Sequence, residues 1–133
     1  MVWYYLWELT VNTWLALAAA LSAATTLIHV ILGGRHVATP LLATDRLHPV
    51  PKFTMYYCWH LVTLMLAALA LAFGLVATGL GSRDLALFAT SGAALFCLWS
   101  LGMIGLFRLQ LAYFPQWALF AAIAISGTIG LWW

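Results

Sequence analysis

Charge is what this sequence has least of. Of 133 residues, five are Lys or Arg and three are Asp or Glu, so that 6% are charged, where soluble chains carry about a quarter. With 66% hydrophobic residues and a mean hydropathy of +1.05, a soluble fold of this length could not bury its apolar side chains. Lipid as the outer solvent removes that difficulty. The net charge is only +2, and basic runs and RNA-binding motifs are missing, which argues against nucleic acid as a partner.

Cysteine is also scarce. Cys58 and Cys97 both fall inside apolar segments and form neither a CxxC pair nor a disulfide framework, so they read as small hydrophobes. The alanine-rich run 15–24 resembles a signal-peptide core, but no basic stretch precedes it, Glu8 does, and the apolar run continues to Leu32. A retained helix is expected. Within the apolar segments there is no Asp, Glu, Lys or Arg. That argues against proton exchange through a buried carboxylate and against a di-iron centre built on glutamates. Asp45 is the one acid near the histidines and no nucleophile elbow accompanies it, so a Ser-His-Asp hydrolase is unsupported. Phosphate loops and dinucleotide fingerprints are missing too.

What is present is four apolar segments, at 11–32, 55–78, 85–107 and 114–133. Each is long enough to cross a bilayer core, which takes about 20 helical residues. Their alanine and leucine content favours helix over barrel strands. The expected fold class is an all-α integral membrane protein, with four transmembrane helices in a compact antiparallel bundle forming a single domain over 1–133. The connections 79–84 and 108–113 are short, and 33–54 is the one long loop.

Four spans put 33–54 and 108–113 on one side, with Arg35, Arg46, Lys52 and Arg108 against Asp45. The other side holds both termini and the 79–84 turn, with Arg83 against Glu8 and Asp84. The positive-inside rule then predicts a cytoplasmic long loop and periplasmic termini, as in a bacterial inner-membrane protein. Trp3, Tyr4, Tyr5 and Trp7 would share an interface with Trp132 and Trp133, and Tyr56, Tyr57, Tyr113 and Trp117 would mark the other. Small residues four apart predict close helix approach: Ala16, Ala20 and Ala24 on the first helix, and Ala118, Ala122, Ser126 and Gly130 on the last. The first and last helices are therefore expected to be neighbours.

The four histidines, His29, His36, His48 and His60, all lie around the first hairpin. His29 and His60 fall roughly 5–8 Å below the cytoplasmic boundary at 1.5 Å per residue. Each sits on a polar stripe at helical spacing: Ser22, Thr25, Thr26 and His29 on one helix, and Tyr56, Tyr57, His60 and Thr63 on the other. Such stripes are expected to face the bundle interior, which would bring the two imidazoles within reach of one another. One histidine from each of two helices is a common way to hold b-type haem, and His36, His48, Cys58 or Met55 could complete a transition-metal site. His29 and His60 are thus the cofactor candidates, with His36 and His48 as further metal ligands. The other reading is that each histidine bonds a hydroxyl or carbonyl and ties helices together. Both stay open.

Gly33 and Gly34 are expected to end the first helix in a left-handed turn, and Arg35 just after them to touch lipid phosphate. Pro49 and Pro51 suit an entry to the second helix, and Pro115 suits the first turn of the fourth. The run His29-x-x-x-Gly33-Gly34-Arg35, then Pro40-Leu41, then Trp59-His60-x-x-Thr63, resembles a set of small bacterial four-helix inner-membrane proteins. The likeness covers about the first half of the chain. Gly34 stands where an acidic residue is as common in that set. The resemblance implies no activity and adds interest to His29 and His60.

Three functions are therefore expected in turn. The first is a non-catalytic accessory or assembly component of a larger membrane complex. The second is a haem- or metal-binding protein for electron transfer or metal handling. The third is a homo-oligomeric channel or carrier.

Overall fold

The computed structural model describes residues 11–133. The aromatic residues 3–7 and Glu8 invoked above lie outside them. Among the described residues there are four long helical segments and no strand. They are α1, Thr13–Ala43; α2, Pro49–Ala77; α3, Arg83–Phe107; and α4, Gln116–Trp132.

Helix starts follow capping chemistry. Asn12 accepts from Leu15 N at 3.1 Å, Ser82 Oγ accepts from Leu85 N at 3.2 Å, and His48 Nδ1 accepts from Val50 N at 3.4 Å. Each occupies one of the backbone donors that a helix leaves unpaired at its start. α2 ends at a left-handed Gly79, with φ of 77°, and Leu80 N closes back on Leu75 O at 2.8 Å. α3 ends on Arg108, also left-handed at φ 51°.

Two expectations about the first hairpin are corrected. α1 does not end at Gly33-Gly34. It passes through them in a π-helical stretch, His29–Ala38, where Thr39 N bonds Gly34 O five residues back, and regains α geometry to Ala43. Neither glycine has positive φ. Likewise α2 begins at Pro49, not at residue 55, because prolines in a first turn lose no helical hydrogen bond. The long loop 33–54 therefore shrinks to 44–48, closed by Lys52 Nζ donating to Thr44 O at 2.8 Å. Hydropathy marks where a helix can contact lipid, and polar turns that continue it beyond the core give no such signal.

α1, α2 and α3 are each long and apolar enough to cross a membrane; α4 is apolar but shorter, at 17 residues. The outer surface is strongly apolar, with Leu64, Phe88, Trp99 and Leu106 all largely exposed. These features fit a helical membrane bundle.

α1 packs against α2 and α4, and α4 packs against α3. The core lies in the half of the bundle that contains Asn12. Leu15, Ala18, Leu69, Phe73, Ala86, Ala89 and Ile123 form one buried cluster there. In lipid such packing gains dispersion contacts rather than release of water, so close fit decides it. Gly130 lies so close to Leu15 that a Cβ would come within 2.7 Å of its side chain. Asn12 Nδ2 donates to Gly130 O at 2.7 Å, and Asn12 N to Ala77 O at 3.0 Å, so one residue joins α1 to the ends of α2 and α4.

The expected neighbourhood of first and last helices is thus observed, and Ser126 and Gly130 are buried in it. The Ala16, Ala20, Ala24 stripe is not the contact face. Ala20 and Ala24 are exposed, and Leu15, Ala18, Ser22 and Thr25 are buried instead. Of these, Leu15 lies against Gly130 of α4.

A candidate ligand cleft at the loop-side end

Toward the opposite end the helices part. Between the π-helical part of α1, the first half of α2 and the start of α4 lies a cleft of about 380 Å³. A second, of about 340 Å³, lies between α2, α3 and α4. The two share the wall made by Val62, Leu66, Gln116 and Phe120. Cavities of this size suit small apolar or amphipathic ligands.

His29 is the best-defined polar group of the first cleft. Its ring lies on the Trp59 indole, centroids 3.8 Å apart and planes 18° from parallel. Its Nε2 is 3.3 Å from Trp59 O. A carbonyl only accepts, so Nε2 carries the proton, and in the neutral ring Nδ1 is left as an acceptor. One turn on, Gly33 leaves the space that the indole fills: a Cβ there would overlap Trp59 at Cη2. The π-helical stretch, His29–Ala38, thus carries His29, Gly33 and His36 along the cleft. Such segments are rare and recur at functional sites.

Thr25 and Gln116 also line this cleft. Thr25 Oγ1 donates to Leu21 O at 2.8 Å, which leaves its oxygen free to accept. The rest of that polar stripe is likewise satisfied by its own helix, Ser22 on Ala18 O and Thr26 on Ser22 O. Among the described residues no Lys, Arg, Asp or Glu lines either cleft.

The other candidates lie elsewhere. His60 is exposed on the outer surface, edge-on to Tyr56 with centroids 4.6 Å apart, and it lines neither cleft. Tyr57 beside it is also exposed, so the α2 stripe does not turn inward as a whole. His48 is exposed and caps α2. Arg35 is exposed on the π-helical stretch. His29 and His36 do share the cleft, at the start and toward the end of the π-helical stretch. Among the described residues no three His, Cys, Asp or Glu come together.

Gln116 was missed in the sequence. Its signal was an amide directly after Pro115 in an otherwise apolar span.

Comparison with protein-family models, with curated proteins and with solved structures gave no match. The resemblance to small bacterial inner-membrane proteins therefore rests on its residues. Two of them, His29 and Trp59, form the stack described here, and Gly33 makes room for it.

Proposed function

We propose that this chain is a small non-catalytic membrane component that holds a lipid-soluble molecule in the cleft between α1, α2 and α4. The observation that carries this reading is the contrast between the two ends. The Asn12 end is closed by buried side chains, while the other end parts around apolar walls and a few uncharged polar groups. An accessory role in a larger complex follows naturally for a protein that binds without reacting. The cleft offers two imidazoles, a hydroxyl and an amide, and among the described residues no carboxylate to work with them.

In the proposed setting all four helices cross a bacterial inner membrane, with the 44–48 loop in the cytoplasm and the termini outside. The placement of Arg35, Arg46, Lys52 and Arg108 on the loop side supports that orientation. Haem or metal held by His29 and His60 has less support, because the two rings turn to different surroundings.

The test is native mass spectrometry of the detergent-purified protein. A stoichiometric lipid-soluble adduct, reduced when Leu119→Trp fills the cleft, is expected. Protein free of any adduct under conditions that retain known lipid ligands of other membrane proteins would count against the reading.

A further inference from the structure

Resting on that reading, we infer that the cleft selects a neutral amphiphile with a hydroxyl head, the class of isoprenoid alcohols and quinols. The donors and acceptors already committed inside the protein decide this. His29 Nε2 is held by the Trp59 carbonyl, so the neutral ring offers Nδ1 as an acceptor. Thr25 has given its proton to Leu21 O, so it too can only accept. A hydroxyl head brings one proton, which either of these acceptors can take. A ketone, ether or ester head brings none, and it leaves both acceptors unpaired in an apolar cleft.

Gln116, on the same cleft, can donate its amide N–H to a hydroxyl oxygen. A charged head finds no counter-ion among the described residues, of which no Lys, Arg, Asp or Glu lines the cleft. An ionised group in such surroundings is costly. The walls, Ile28, Leu32, Val37, Val62, Leu66 and Leu119 among them, suit a branched hydrocarbon body. The adjoining cleft beyond Phe120 offers Met65 and Trp99 to a longer tail.

The experiment is equilibrium binding of radiolabelled farnesol to the full chain in nanodiscs, with empty nanodiscs as background. Unlabelled farnesyl methyl ether, decylubiquinol and decylubiquinone serve as competitors. Saturable binding is expected, with the methyl ether at least tenfold weaker than farnesol and the quinone at least tenfold weaker than the quinol. The ratio of quinol to farnesol competition then tells which source of hydroxyl fits better. His29→Phe keeps a ring on Trp59 and removes both nitrogens, and Thr25→Val keeps the shape and removes the oxygen. Each is expected to weaken the preference for farnesol over its ether and the two together to erase it, while His60→Ala leaves it intact. Equal binding of alcohol and ether, or of quinol and quinone, overturns the hydroxyl inference and leaves the cleft as a binder of apolar chains. Absence of saturable binding by all four probes removes the cleft reading as well.

Discussion

The Trp59 indole occupies the space that a side chain at Gly33 would need, and it does so while stacked on His29. Three residues from two helices therefore depend on one another. Gly33→Ala is expected to force the indole away, at about 1–3 kcal/mol, the usual cost of overpacking. Gly34 is the internal control, because nothing lies within 4 Å of a Cβ built there. Gly34→Ala is expected to leave thermal stability unchanged or slightly raised, as alanine favours helix over glycine. Melting both variants in detergent separates the cases. Equal losses would mean that helix flexibility, and not the fit of Trp59, is what both glycines supply.

Asn12 works in two directions at once, capping α1 through Leu15 N and reaching α4 through Gly130 O. Asn12→Ala removes both bonds and leaves a carbonyl unpaired, so a loss of about 1–3 kcal/mol is expected. Asn12→Ser restores the cap alone and should recover part of it. Unfolding titrations with a denaturing detergent would rank the three. If serine matched asparagine, the bond to Gly130 would contribute nothing measurable.

How much of this could be read in the sequence depends on what kind of physics each feature uses. The apolar helices were legible because lipid demands apolar residues at every outward position, as at Leu64 and Phe88. Helix ends were not, since α2 already runs through Pro49 and Lys52, where hydropathy has fallen below that of a span. The glycine pair gave a turn signal that tertiary packing overrode: Gly33 serves the Trp59 contact within a continuous helix. For the site, His29 was found because a histidine in an apolar run is unusual. Period alone does not fix which face of α2 meets α1. Trp59 takes that face and His60 turns outward. Gln116 came from a distant helix, and no local pattern could link it to His29.

Thr90 carries a hydroxyl that is buried without a hydrogen-bond partner, beside the point where α3 meets α4. A Cβ on Gly127 would come within 2.5 Å of that oxygen and 3.1 Å of Phe73. The pair is asymmetric in what it tolerates. Thr90→Val removes the orphaned oxygen at nearly constant shape and is expected to stabilise the bundle by about 1 kcal/mol. Gly127→Ala, against two occupied neighbours, is expected to destabilise it by about 1–3 kcal/mol. A marked loss of melting temperature in Thr90→Val would show that the hydroxyl has a partner in the membrane.

The path of α4 makes a last prediction, about topology. At 17 residues the helix is roughly 26 Å long, a little short of a bilayer core of about 30 Å. Its register is nevertheless fixed by contacts at the Asn12 end. Gly130 lies against Leu15 and accepts from Asn12, and Arg83 Nη2 reaches Leu131 O at 3.5 Å. The end of α4 therefore emerges beside the start of α1, on the side away from the 44–48 loop. A reporter fused after Trp133 should behave as periplasmic and one inserted in the 44–48 loop as cytoplasmic, with bilayer thinning covering the few missing ångströms. If both reporters fell on the same side, α4 would not cross, and the contacts that tie Gly130 to Asn12 would have to break in the membrane.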